Sequence, residues 1–325
     1  MKHKILIGSL IVTLFAFILY TSNIKRVENA QLKIVEPNNS KVAKNKKKTK
    51  EPKVKKLEKP KEPKVNSIEY SNHVKAQKGS NQKLVKQIKK VMGIDDSFQV
   101  VAQDLTNSSH FAVVFNTNKA HDAGKTMRLF LLIALYEQEQ KGKMGSRTAI
   151  KISKKDKAKG DKMFQVGITY GVSYLRSAML KGNKTAASAL TRKIGVNNID
   201  QVAKKMGATQ TKVNSNMTGQ TTANDLAKTM IGLYQGRVLN RQYASRVLAT
   251  LAKERPSLVS GLSGGIYAIG DDDFAVAIVQ TNGRAYCMSV WSTQHKNFNK
   301  LGKTVNAWFI NCLLYTSPSP RDQRG

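Results

Sequence analysis

Nucleophilic catalysis needs a hydroxyl or thiol, a neighbouring group that can take its proton, and a frame that holds both. Ser-x-x-Lys spacing, which can set a serine and a lysine on one helical face, occurs at Ser22-Asn-Ile-Lys25 and Ser80-Asn-Gln-Lys83. Gly261-Leu-Ser-Gly-Gly265 has the Gly-x-Ser-x-Gly form. Each has a simpler reading. Ser80 stands where a helix N-cap belongs, and Ser22 lies at the edge of an apolar stretch. A nucleophile elbow needs a strand before it and a helix after it, whereas a strand-like run follows Gly265. Asp271-Asp-Asp273 lacks the spaced oxygen ligands and closing carboxylate of a calcium loop and reads as a hairpin turn. His3, His73, His110, His121 and His295 show no metal-ligand spacing. Cys287, inside an apolar strand, reads as a small core residue. No metal or cofactor is expected.

The elements that would position such groups are mixed. Apolar residues at 84, 85, 88, 91 and 92 give helical spacing within Ser80–Met92, closed by Gly93. Phe98–Leu105 and Phe111–Phe115 are β-rich and joined by Thr106-Asn-Ser-Ser109, a hairpin pattern. Arg128–Glu139 begins with eight apolar residues after Arg128, which predicts a helix buried on every side. Thr222 with Asp225 makes a capping-box start for Ala223–Gln235, ended by Gly236. Asn240–Lys253 is amphipathic. Gly265–Ile269, Phe274–Thr281 and Ala285–Trp291 are strand-like, joined by Asp271–Asp273 and Asn282-Gly283 turns, and His295–Asn311 reads as a final helix. Strands at both ends of the chain with helices between them predict an α+β fold: an antiparallel sheet flanked by helices, with a helical subdomain.

Both termini stand apart from this body. Ile5–Ile24 is a 20-residue stretch without a charge, preceded by Lys2 and Lys4 and followed by Lys25 and Arg26. Twenty helical residues at ~1.5 Å each just cross a ~30 Å hydrocarbon layer. No small-x-small cleavage site follows Tyr20, so residues 1–26 are read as an uncleaved membrane anchor in preference to a cleaved export signal. Residues 27–66 form a Lys/Pro-rich spacer: between Lys41 and Lys64 there are twelve lysines, three glutamates and no apolar periodicity. Residues 67–311 form the folded domain. Cys312-Leu-Leu-Tyr-Thr-Ser-Pro-Ser-Pro-Arg-Asp322 resembles the conceptual translation of a sequencing adapter, and residues 312–325 are expected not to be native. Two cysteines in 325 residues exclude a disulfide framework and a multi-cysteine zinc module.

Three segments of the body carry a resemblance. Ala123-Gly-Lys-Thr-Met-Arg-Leu-Phe-Leu-Leu132 resembles the segment in which Ser-x-x-Lys opens a long buried helix. Lys181-Gly-Asn-Lys-Thr-Ala-Ala-Ser188 resembles Ser-Asp-Asn followed by Thr-Ala-Ala. Gly261–Gly265, ahead of two strands, stands in the place of a Lys-Thr-Gly strand. In this order, with Thr221-Thr-Ala-Asn-Asp-Leu-Ala227, they resemble the serine β-lactamase and D,D-peptidase family, class A β-lactamase-like, over roughly Ser80–Asn311. The resemblance implies a β-lactamase/transpeptidase-like fold. It also implies that the motif positions are Lys125, Arg128, Gly182, Asn183 and Lys184, with Ser263 as a candidate cleft residue. None of these substitutes supports the family's acyl-enzyme route. An acylated Lys125 would be an amide, Arg128 with a pKa above ~12 cannot act as base, and Gly182 has no side chain to relay a proton.

The formal net charge is +34. Taking away 9 for residues 41–64 and 3 for residues 1–40 leaves +22 on residues 65–325, so the folded body is itself a polycation. The expectation is an exported, membrane-tethered, non-catalytic member of the family that binds cell-envelope polyanions or a peptidoglycan-derived ligand, with no nucleic-acid partner. The membrane would be engaged through residues 5–24. One alternative is an active β-lactam or peptidoglycan-peptide hydrolase with atypical groups such as Ser263 and Ser188. Another is a polycationic surface-binding protein whose fold is incidental.

Overall fold

The structure, a computed structural model, describes residues 73–93, 97–145, 147–293 and 297–314, with side chains through residue 311. The apolar stretch 5–24, the Lys-rich spacer and the suspect tail lie outside the described residues. Everything described belongs to one compact unit, Glu69–Gly325.

Chain order runs β1 (Lys75–Ala76), α1 (Gln82–Met92), β2 (Phe98–Asp104), β3 (Phe111–Phe115), β4 (His121–Asp122) and a 3-10 turn at Gly124–Thr126. Then come α2 (Met127–Gln140), β5 (Ala149–Lys151), β6 (Thr169–Gly171), α3 (Val172–Leu180), α4 (Lys184–Ile194) and α5 (Val196–Lys205). After β7 (Lys212–Val213) and β8 (Gly219–Thr221) follow α6 (Ala223–Tyr234), α7 (Arg241–Leu251), a second 3-10 turn at Ser257–Val259, β9 (Gly265–Gly270), β10 (Phe274–Thr281), β11 (Arg284–Ser292) and α8 (Phe298–Leu314). The main sheet has the order β1-β3-β2-β11-β10-β9 and is antiparallel throughout, so its two halves come from the two ends of the domain.

The pleat sorts side chains to two cores. Val101, Val276, Ile278 and Cys287 face a cluster that contains the buried faces of α2 to α7, while Val100, Ala102, Ala275, Ala277, Met288 and Val290 face α1 and α8. The sheet is therefore a middle layer, apolar on both faces. As its composition predicts, α2 is buried from Leu129 through Glu137. Glu137 can lie there because Lys141 (2.7 Å) and Lys205 (3.1 Å) both reach it. Among the described residues, both cores are built from side chains of this unit.

Two capping expectations need correcting. Asn81, not Ser80, caps α1 by accepting the Leu84 N–H (3.1 Å); Ser80 Oγ instead accepts the Val113 N–H (3.2 Å) and ties the helix start to β3. Thr222 caps α6 as expected, accepting the Asp225 N–H (3.0 Å). The Asp225 carboxylate, however, takes the Gln210 N–H (2.8 Å) and the Thr211 hydroxyl (2.9 Å), so it serves a neighbouring loop. Sequence spacing shows who can cap locally, and a partner brought by the tertiary fold competes for the same oxygen.

Candidate functional site

The 3-10 turn at Gly124–Thr126 delivers the chain into α2, and its exposed N–H groups would draw a negative charge. Two carboxylates already serve them. Asp122 Oδ1 accepts the Gly124 N–H (3.0 Å), and Asp271 Oδ2 accepts the Lys125 N–H (2.8 Å). Asp271 follows the last residue of β9, and its second oxygen takes the N–H groups of Asp273 (3.1 Å) and Phe274 (2.9 Å), which forms the expected hairpin turn. At Gly124 a β-carbon would lie 2.3 Å from Asp271 Oδ2, so only glycine lets the carboxylate approach.

The side chains of this turn are neutralised as well. Lys125 Nζ pairs with Glu254 Oε2, and both side chains are about three-quarters buried. Burial pulls the Arg128 pKa down, while Glu254 and Asp271 push it back up; a guanidinium so placed stays charged. Arg128 Nη1 donates to the Leu180 carbonyl (3.4 Å), and a β-carbon at Gly182 would lie 3.9 Å from its Nη2. The fold thus brings Lys125, Arg128 and Gly182 to one place, as the motif order implied, together with two acids.

The other candidates fall differently. Asn183 caps α4 by accepting the Ala186 N–H (2.8 Å), and Lys184, the first residue of that helix, is exposed. Ser263 is exposed and lies beyond the opposite end of β9 from Asp271. Six extended residues span ~20 Å, and the loop before β9 sits instead against Lys303 of α8 and Gln280 of β10. The strand end that meets the Lys125 turn is Ile269-Gly270-Asp271, so the placement of the family's third motif at Gly261–Gly265 does not hold. Glu254 and Asp271 were the residues that sequence reasoning missed. Asp271 announced itself only as a turn, and its contact with Lys125 spans 146 positions. Glu254 carries no local pattern at all.

Lys125 and Arg128 do not by themselves supply the nucleophile and base of an acyl transfer. An ammonium held in an ion pair is not a nucleophile. His121 is the nearest imidazole in sequence; burial and Lys119 keep it neutral. It stacks flat on Trp291, ring centroids 3.4 Å apart, and no hydroxyl bonds its Nε2. Among the described residues no group of three His, Cys, Asp or Glu side chains could hold a metal ion. Cys287 is fully buried, and burial pushes its thiol pKa far up.

A model of the beta-lactamase enzyme family matches residues 83–309. The protein belongs to that family. Its fold is shared with PBP-A, at 16% identity over 71% of this chain and 97% of that one, TM-score 0.62. It is shared too with the TLA-3 extended-spectrum beta-lactamase (14% identity, 70% and 98% coverage, TM-score 0.61). A beta-lactamase from Sphaerobacter thermophilus matches at 15% identity, 72% and 98% coverage and TM-score 0.58. No curated protein sequence matches significantly. Within the family's scaffold, then, Lys125, Arg128 and Gly182 stand together with Glu254 and Asp271.

Proposed function

We propose that this β-lactamase-like protein is a non-catalytic member of its family, carried outside the cell on a membrane tether, where its basic body binds anionic polymers of the envelope. One observation carries the reading. The side chain in the nucleophile position, Lys125, is paired with Glu254, and the N–H behind it is bound by Asp271. A PBP-A variant forms an acyl-enzyme complex with penicillin G; the corresponding turn here holds Lys125 in an ion pair, its one hydroxyl, on Thr126, is buried and donates to the Ala123 carbonyl, and Arg128 cannot serve as base. Restoring one group is not enough. Gly182 has φ +104°, a conformation in which a serine side chain would be strained.

The binding half of the proposal rests on charge. Residues 65–325 keep +22, and a polycation concentrates polyanions and releases their counterions on contact. The motif cluster is not the focus of that attraction, because Glu254 and Asp271 offset Lys125 and Arg128. Binding of a polyphosphate across a salt series tests this. Affinity should fall steeply with salt and stay within about twofold of wild type for Lys125→Ala/Arg128→Ala. No binding at low salt would end the polyanion reading. Turnover of a chromogenic cephalosporin by the purified wild-type protein, whether or not Ser263→Ala abolishes it, would end the non-catalytic one.

A further inference from the structure

Large apolar side chains that stand half out in water among the described residues are Met163 (49% exposed), Val166 (43%), Ile168 (48%) and Tyr174 (49%). All four fall within twelve residues. Scattered exposed apolar residues mean little, but a cluster in one segment marks a surface that something covers.

This segment is built to present them. Its base is the β5–β6 hairpin. Inside, the Lys157 ammonium donates to the carbonyls of Asp161 and Phe164. Asp161 Oδ1 accepts the Met163 N–H (2.8 Å), and Tyr170 Oη accepts the Gln165 N–H (3.1 Å). Phe164 is fully buried, edge-on to Tyr170 (4.9 Å) and Tyr174 (5.6 Å). The loop therefore has its own packed interior, and Met163, Val166 and Ile168 are surplus to it.

The surrounding charge has one sign. Lys151, Lys154, Lys155, Lys159 and Lys162 are exposed. The two acids of the stretch turn inward: Asp156 is buried against Arg192 (2.8 Å) and the Ser153 hydroxyl (2.8 Å), and Asp161 is taken up by the loop's own backbone. Exposed apolar side chains and exposed lysines in one segment match a surface that is apolar beneath and anionic on top.

We propose that segment 151–174 seats the folded domain on an anionic lipid bilayer, with Met163, Val166, Ile168 and Tyr174 entering the headgroup boundary and the lysines meeting acidic headgroups. A soluble polyanion would use the lysines but has no use for the apolar tips. This reading therefore stands apart from the polyanion binding proposed above and would survive its failure.

The test is vesicle flotation of the compact unit Glu69–Gly325, with phosphatidylcholine vesicles that do or do not contain phosphatidylglycerol. The unit should float with the anionic vesicles and not with the neutral ones. Met163→Ser/Val166→Ser/Ile168→Ser should weaken that binding about tenfold or more and leave soluble-polyphosphate affinity unchanged. Ile168→Asp, at an exposed position, is the second variant should the triple one melt early, and it should weaken vesicle binding in the same sense. Undiminished binding by a folded variant would reduce the effect to charge and overturn the proposal. So would a wild-type unit that ignores anionic vesicles or binds neutral ones equally well.

Discussion

Glu254 does most to decide what the motif cluster can be. It pairs with Lys125 and raises the Arg128 pKa against the effect of burial. Glu254→Gln should leave Lys125 and Arg128 with Asp271 as their one remaining acid among the contacts described. Losing a partly exposed pair costs only ~0.5–1 kcal/mol, so the fold should survive with a slightly lower melting temperature. Polyphosphate affinity at low salt should rise, since the variant gains an anion site that wild type lacks; unchanged affinity would mean the cluster is closed to ligands of any charge. Lys125→Ser should give no turnover, because Arg128 cannot serve as base. This scale was the least legible in the sequence. Lys125, Arg128 and Gly182 were found because each sits within a motif in a recognisable local setting. Their neutralising partners come from after α7 and the end of β9, which only the assembled sheet brings close.

Elements were far more legible. Helical spacing gave α1, α2, α6 and α7 to within a residue or two, and the β-rich runs gave β2, β3, β10 and β11 with their hairpins, because local periodicity already encodes which face is buried. What it could not show is how close two elements come. In α8, a β-carbon at Gly302 would lie 1.8 Å from the Leu258 carbonyl oxygen, so the helix touches the Ser257–Val259 turn backbone to backbone. Propensity alone makes Gly302→Ala stabilising by up to ~1 kcal/mol. The overlap should win: net destabilisation of ~1–3 kcal/mol, read as a lower urea midpoint. A stabilised variant would show that α8 can slide away from the turn freely.

At the scale of the whole molecule, buried carboxylates set the pH response. Asp104, Glu137 and Asp156 are buried, which alone would raise their pKa values. Donors outweigh that and hold all three below their ordinary values: the Thr106 hydroxyl and N–H, the Asn107 N–H and Arg284 at Asp104; Lys141 and Lys205 at Glu137; Arg192 and Ser153 at Asp156. A depressed folded pKa stabilises above the unfolded value, so this contribution should be lost as pH falls from about 4.5 downward. Asp225, whose pKa burial raises despite its hydrogen bonds, works in the opposite sense and favours the fold at low pH. Asp161 is held low as well, desolvation there being outweighed by its hydrogen bonds. Four carboxylates against one predict a melting temperature that drops in acid, with a shallower drop in Glu137→Gln, and the growing self-repulsion of the +34 chain acts in the same direction; a flat profile would mean that Asp225 dominates. The layered α+β architecture was legible at this scale because the long strands, β2, β3, β9, β10 and β11, lie near the two ends of the domain and pair in one sheet; the short strands between them were not read from the sequence.

The central claim, that the family's scaffold has been kept while its covalent chemistry has been lost, is tested most directly by intact-mass measurement after incubation of the protein with benzylpenicillin. The account predicts an unchanged mass at every time point, for wild type and for Lys125→Ser alike. A mass gain of one penicillin on the folded wild-type protein, absent after denaturation beforehand, would contradict it.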